Sequence, residues 1–437
     1  MTEHKDGVPS EEAFKDPSRR RSRPKFGVYA KSMGENNGCL YYRVEVPTRG
    51  LFKLGLAEAF VDAGRGAVDE SIGALFSAEI ILNFALSGGS VEAVLNALSN
   101  MRSGKTDDGN EVIFPPSFVF DLDDRIDYTH PFNPAFVHLG VRAYDGTPLK
   151  NGDRLVTTFP DGTDVILWED GVTRHEVQHE VVTFDVERNW RRVNQVFDTA
   201  RRADGVTVPS PALAEFYREL GAKDVYIFPN SVIPEDYPAP QLVPRPEGAV
   251  RIMWQGGASH MVDWFPLRDA VRTIALKYPK VKFVIWGTHY PWIHDNIPKE
   301  QLELKSWVPY DAYKPMRGIV DVDINLCPLV DNVFNKGKSA IKWYESVLPF
   351  EPEATLAAKA APYSDEIEDG KTGLLYSSPE EFVEKLSALI ENVQLRKTLA
   401  REARSWVIAN RHYEKTVPGL FEFYQHLRAR KRVALAA

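Results

Sequence analysis

Short apolar runs alternate along the chain with longer amphipathic stretches, and this rhythm predicts strands and helices in turn. Phe26–Ala30 reads as the first strand, and it runs into the loop KSMGENNGC, whose Gly34, Asn36, Asn37 and Gly38 tolerate left-handed backbone. A second apolar run covers Ala78–Ala85. A helical stretch follows at VEAVLNALSNM, and EVIFPPSFVFDLDD then reads as a buried strand that ends in acid. From about 131 to 187 the period shortens to two: DVILW and EVVTF lie among the turn signals Phe-Pro-Asp-Gly-Thr and Trp-Glu-Asp-Gly-Val, which predicts β-hairpins set into a larger domain. The α/β rhythm resumes with a strand at Gly205–Val208, a helix from Ser210 to Leu220 and the strand DVYIF. Ser210 as N-cap with Pro211 at the first helical position explains where that helix begins.

Residues 229–248 carry six prolines and read as an interdomain linker. Beyond them come the strand VRIMWQ, a helix with Leu267, Ala270, Val271 and Ile274 on one face, and the strands KFVIWG, VDVDINLCP and ATLAAKA, with a helix around Ser339–Val347. Ser378-Pro379-Glu380-Glu381 is a capping box opening a helix that buries Phe382, Leu386, Leu389 and Ile390. A further helix carries Leu399, Ala403, Trp406 and Val407. Trp254, Trp286 and Trp307 lie in or beside strands and are expected in the core. The fold class is therefore α/β with two doubly wound, Rossmann-like sheets. The expected domains are a flexible lead-in at 1–24, an N-terminal domain at 25–230 with the β-rich insertion at 131–187, a C-terminal domain at 231–410, and a C-terminal helix at 411–437 packing back on the first domain.

Composition narrows the class. Of 437 residues, 43% are hydrophobic, which excludes disorder for most of the chain. Two cysteines, Cys39 and Cys327, are too few for a disulfide framework or a cysteine-built zinc site. With no apolar run of transmembrane length and no secretory core in MTEHKDGVPSEE, a cytoplasmic protein is expected, at most peripheral on a membrane. The net charge of −8 averages an acidic body with two basic ends: Arg19, Arg20, Arg21, Arg23 and Lys25, and Arg428, Arg430, Lys431 and Arg432. These clusters read either as solvated tails or as contacts to a phosphate-rich surface, lipid or nucleic acid.

The stretch PLVDNVFNKGKSAIKWYE, residues 328–345, follows a strand and so lies at the carboxyl edge of a sheet, where open α/β folds bind ligands. Gly337 admits backbone close to a ligand, Lys338 adds a compact positive charge, and the helix beyond presents free N–H groups; together they suit a diphosphate. Glu345, two turns on, can accept both hydroxyl hydrogens of a ribose.

Phe334, Asn335, Lys338, Ser339, Lys342, Trp343 and Glu345 resemble the donor-site signature of retaining glycosyltransferases of family 4, in the subgroup F-N-x-x-K-S-x-x-K-W-x-E. Gly337 stands where the familiar form has the first of two glutamates. YYRVEVPTRGL, ADGVTVPSPALAEFYRELGA, IFPNSV, IMWQGGASHMVDW and APYSDEIEDGKTGLL resemble further segments of that subgroup in the same order. The resemblance implies a GT-B architecture, two Rossmann-like domains facing an interdomain cleft, and transfer of a sugar from a nucleoside-diphosphate donor with retention, without a metal or other cofactor. It implies donor contacts from Gly256, Gly257, His260, Asn335, Lys338, Ser339 and Glu345, an acceptor side at Tyr41, Tyr42 and Arg43, and a role for Asp123 and Asp124 toward sugar or acceptor hydroxyls, with structural capping equally open. The acceptor stays open among glycan, lipid, protein and modified nucleic acid. Tyr41, Tyr42, Trp264 and Tyr363 are expected in turns at the cleft, where rings either stack on sugars or pack.

Other readings compete. Asp121-Leu122-Asp123 fits the D-x-D of metal-dependent GT-A transferases. His175-Glu176-Val177-Gln178-His179 matches H-E-x-x-H, but its surroundings alternate as a strand does, which separates the two imidazoles along one face. The departure at Gly337 leaves room for a non-catalytic sugar-nucleotide or glycan-binding protein.

Overall fold

A computed structural model of the chain describes residues 26–32, 38–62, 79–85, 116–131, 133, 135–151, 155–158, 164–168, 174–177, 180–237, 249–349 and 351–436. The expected lead-in, the helix at VEAVLNALSNM and residues 238–248 of the proline-rich stretch lie outside the described residues. Two compact units result: one draws on residues up to Asp123, Gln195–Ile233 and the chain from Ala409, the other on Asp124–Asn194 and Pro234–Ile408. The hairpin segment, expected as an insertion in the N-terminal domain, groups with the second unit.

Along the chain the strands are β1 (Phe26–Ser32), β2 (Glu58–Asp62), β3 (Glu79–Ala85), β4 (Ser117–Asp121), the hairpin strands β5 (Leu155–Thr158) and β6 (Asp164–Trp168), β7 (Arg174–Val177) and β8 (Glu180–Thr183), then β9 (Gly205–Val208) and β10 (Val225–Ile227). The first unit holds a parallel six-stranded sheet in the order β10-β9-β4-β3-β1-β2. Every residue of β4 and β9 is buried, as a parallel sheet covered on both faces requires of its inner strands. After β9, Ser210 caps the helix Pro211–Glu219 by accepting the Leu213 N–H at 3.4 Å.

The helix Tyr413–Ala436 belongs to the same unit and packs closely there: a Cβ on Gly50 would fall 2.8 Å from Val417 Cγ2, and one on Gly205 2.7 Å from Leu427 and Phe423. Its basic residues turn inward. Arg428, 2% exposed, donates to Ser117 Oγ; Arg430 pairs with Asp224 and donates to Asp204 O; Lys431 bonds Asp204 Oδ2 and Pro116 O, both at 2.7 Å. Arg430 and Lys431 thus each balance a carboxylate and bond a backbone carbonyl inside the unit, and Arg428 bonds the Ser117 hydroxyl, which their sequence clustering did not reveal.

The second unit holds β11 (Arg251–Gly256), β12 (Lys282–Gly287), β13 (Leu302–Lys305), β14 (Ile324–Cys327), β15 (Ala354–Ala358) and β16 (Leu374–Tyr376), all parallel, in the order β13-β12-β11-β14-β15-β16. Counted within the unit this is 3-2-1-4-5-6, the doubly wound order whose direction reverses between β11 and β14. Trp254 and Trp286 are buried as expected, the latter packing with Met253, Val284 and Val322. Trp307 is not: it is 63% exposed, because it lies past the end of β13, the edge strand, with no further strand to cover it. At Ser378 the capping box forms, with Ser378 Oγ accepting the Glu381 N–H and Glu381 reaching back to the Ser377 N–H. His175 and Glu176 lie on β7, paired antiparallel with β8, so the H-E-x-x-H begins on a strand; Gln178 and His179 lie outside the described residues. No helix among the described residues is long and apolar enough to cross a membrane.

Candidate functional site

The reversal of strand order in the second unit opens at the carboxyl ends of β11 and β14, and the sequence-predicted donor residues gather there. β11 ends at Gly256, which lies beside Gly287 at the end of β12. Gly287 has φ +107°, and a Cβ on it would fall 2.3 Å from the Gly256 carbonyl oxygen; only glycine fits. Gly257 faces open space, with its carbonyl accepting from Tyr290 OH at 2.8 Å. The chain then turns into the short helix Met261–Trp264, which carries Asp263.

Asp263 is the hub. One carboxylate oxygen accepts from His260 Nδ1 at 2.7 Å; the other accepts from Asn335 Nδ2 at 2.7 Å and from the Val330 N–H at 3.0 Å. His260 Nε2 in turn lies 2.7 Å from Lys342 Nζ. An ionised carboxylate on one side and an ammonium on the other assign the tautomer: Nδ1 carries the hydrogen and Nε2 accepts. Burial, with Lys342 and Lys338 adding to it against Asp263, pushes His260 down to about 4, so the imidazole is neutral at physiological pH. Burial alone would raise Asp263, yet the His260 hydrogen bond, the Val330 N–H and Lys342 outweigh it and hold the carboxyl below its ordinary range. Lys342 is pushed down to about 8, chiefly by burial and also by Lys338, against the pull of Asp263 and Glu345.

Lys338 lies at the rim of this group, 3.5 Å from Asp124 Oδ1 and over the Phe334 ring. Ser339 is half-buried between Lys338 and the helix Ile341–Val347. His130, also in this unit, packs edge-on against Tyr144; burial, opposed by Asp263 and reinforced by Lys338, brings it down to about 4. Asp123 is half-buried at the end of the first unit's β4 segment.

Glu345 sits in a second polar cluster on the same helix, 5% exposed. Its carboxylate accepts from Tyr310 OH at 2.6 Å, Gln255 Nε2 at 2.7 Å and Tyr313 OH at 3.1 Å, and Tyr313 also donates to Gln255 Oε1. Burial and the neighbouring Glu345 charge hold the Tyr313 phenol well above its usual range, so it serves as a donor.

The three residues expected on the acceptor side lie in the core of the first unit. Tyr41 and Tyr42 are buried with their rings edge-on, and Arg43 is 1% exposed. Arg43 binds both oxygens of Asp121, the Phe228 carbonyl and Asn230 Oδ1, while Thr207 Oγ1 donates to Asp121 Oδ2 at 2.6 Å. Both Asp121 oxygens are thereby engaged by Arg43, and one of them by Thr207 as well. Trp264 and Tyr363 are packed, each 3% exposed.

Residues 266–421 match the family model described as "Glycosyl transferase-like". That stretch is about a third of the chain. It contains Asn335, Lys338, Lys342 and Glu345. The fold is that of GT-B glycosyltransferases: HepE of Anabaena, solved with UDP and glucose, superposes with a TM-score of 0.54 at 10% identity over 92% of this chain and 99% of that one. HepE with UDP-glucose gives 0.51 at 10% identity, covering 91% and 99%, and sucrose-phosphate synthase of Thermosynechococcus elongatus gives 0.51 at 10%, covering 92% and 99%. No curated protein matches the sequence. The matched family model is described as glycosyl transferase-like, and the two proteins that superpose have the GT-B fold.

The site brings in residues that the motif reading left without a role. Lys342 had a visible signal, a second lysine four positions after Lys338 in the signature. Asp263, three residues after His260, had a weaker one, and Gly287, Gln255, Tyr310, Tyr313 and His130 had none, since each joins the group through tertiary contact.

Proposed function

We propose that the protein transfers a sugar from a nucleoside-diphosphate sugar to an acceptor, with the diphosphate held at the β11 and β14 ends of the second sheet. The observation that carries this is the convergence of His260, Lys338 and Lys342 at the point where strand order reverses. Two ammonium groups and an open glycine turn suit a diphosphate in charge and access, and stabilising that group as it departs is the main electrostatic task of such a transfer. UDP bound to HepE supports a uridine donor as the first to test.

Glu345 is proposed to face the nucleotide ribose. Its three protein donors pre-orient the carboxylate, and Tyr310 OH occupies one oxygen where a ribose hydroxyl can substitute. Lys338 is proposed to leave Asp124 for phosphate, since a 3.5 Å pair with a carboxylate 40% exposed is easily exchanged. Retention of anomeric configuration is carried over from the signature at 334–345, with front-face attack and the donor's own phosphate oxygen taking the acceptor proton. Transfer without a metal is proposed on the same ground, and the commitment of Asp121 to Arg43 supports it. The acceptor is proposed as a hydroxyl compound of unspecified class.

Incubation with UDP-, GDP- and ADP-glucose, following release of the nucleoside diphosphate, tests the reading. Turnover that persists in EDTA and is lost in Lys338→Ala and Glu345→Ala supports it. Tight nucleotide binding with no donor hydrolysis would favour the non-catalytic binding protein instead.

A further inference from the structure

Lys342 is the cation of this group that no motif reading placed in a role, and its surroundings are unusual for a lysine. The groups facing it are His260 from the loop after β11, Asp263 from the short helix, Cys327 at the end of β14, Lys338 from the 328–340 stretch and Glu345 from its own helix. Both carboxylates already accept three hydrogen bonds from other donors. The hydrogen bond of Nζ itself goes to a neutral imidazole, at 2.7 Å. The ammonium is therefore aimed by a fixed acceptor without being neutralised by it, which is the arrangement that leaves a cation able to take an anion.

We propose that Lys342, aimed by the chain His260–Asp263–Asn335, is a phosphate-contacting cation of the diphosphate site alongside Lys338. The inference rests on the donor reading above. His260 and Asp263 are positioning residues: Asn335 and the Val330 N–H fix the carboxylate, the carboxylate fixes the imidazole, and Nε2 fixes the ammonium.

A consequence in solution follows from the charge. With its pKa near 8 in the empty site, Lys342 is charged below that pH and loses its proton above it. A bound diphosphate favours the charged form and raises that value. Well below 8 Lys342 then takes up almost no proton on binding, at about pH 8.5 it draws about three-quarters of one from solution, and at higher pH affinity falls by up to about tenfold per pH unit. Two of the facing groups titrate outside this window: His260 near 4 and the Cys327 thiol, pushed up by burial, near 12.

Calorimetric titration of the full chain with UDP, in two buffers of different ionisation enthalpy at about pH 7 and about pH 8.5, reads the proton count directly. The expected result is proton uptake at the higher pH only, its loss in Lys342→Arg with binding retained at both, because a guanidinium stays charged, and binding at least about tenfold weaker in Lys342→Met. Asp263→Asn is expected to weaken binding and shift the midpoint of the pH profile while far-UV circular dichroism stays unchanged. Uptake that persists in Lys342→Arg, or wild-type affinity in Lys342→Met, overturns the proposal and leaves the donor reading standing. Failure of the wild-type chain to bind UDP, GDP or ADP at all sinks both. If Lys342→Met does not fold, Lys342→Arg alone decides.

Discussion

Arg43 and Asp121 meet in a two-point ion pair inside the first unit, Nε 2.8 Å from Oδ1 and Nη2 2.6 Å from Oδ2, with both side chains almost wholly buried. Asp121 ends β4, and Arg43 also holds the Phe228 carbonyl and Asn230 just after β10, so one guanidinium ties three distant segments together. Burial alone would weaken the Arg43 charge, but Asp121 more than compensates and holds its pKa above the ordinary value. Arg43→Ala or Asp121→Ala leaves the partner charged in a dry site, at a cost of about 3–5 kcal/mol. Urea unfolding should show that drop for either single variant, and a smaller one for Arg43→Met with Asp121→Leu. Single variants as stable as wild type would contradict a structural role for the pair.

Stability should fall on acidification through the two buried histidines. His130 and His260 both titrate near 4 in the folded chain, against 6.5 when unexposed to these surroundings. A lowered histidine pKa means the unfolded chain binds protons first, so the neutral imidazoles stabilise fully above about 6.5 and lose that contribution as pH falls toward 4. Each can account for up to about 3 kcal/mol across that window. Thermal melts at stepped pH should show the decline, and His260→Asn or His130→Gln should flatten it.

Gly287→Ala should disturb the end of β12 where it abuts Gly256, at the start of the loop proposed to hold the donor. The new Cβ meets the Gly256 carbonyl at a backbone φ that side chains rarely adopt, for a cost of about 1–3 kcal/mol. UDP binding should weaken with it. Gly257→Ala, into open space, should leave the melting temperature unchanged.

The C-terminal cations should matter for folding and not for anionic surfaces. Arg430→Ala with Lys431→Ala removes the partners of Asp224 and Asp204 and is expected to lower stability by about 1–2 kcal/mol, the ion pairs being partly exposed. Co-sedimentation with phosphatidylserine vesicles should not change. A variant of normal stability that loses vesicle binding would reverse this assignment.

Much of the fold was legible because parallel sheets bury their inner strands on both faces, and such strands announce themselves as apolar runs. KFVIWG was read with the ends that β12 has, and the Ser210 and Ser378 caps fell where serine precedes proline and an apolar face. β13 and β16 were missed, being strands of four and three residues at sheet edges, too short to carry a pattern. Trp307 was misjudged for the same reason, since a strand-flanking tryptophan looks alike whether or not a neighbour covers it.

By itself, the order of residues determined the α/β class, the strand-and-helix alternation and the stretch at 328–345 where positive charge follows a strand, because each depends on neighbours in the chain. Tertiary structure alone decided what those charges do. Arg43 finds Asp121 78 positions away and Arg428 finds Ser117 311 positions away, and Lys342 reaches His260 across 82. Periodicity reports that a side chain will be buried, but the partner that satisfies its charge is chosen by the sheet order, which brings remote strand ends together.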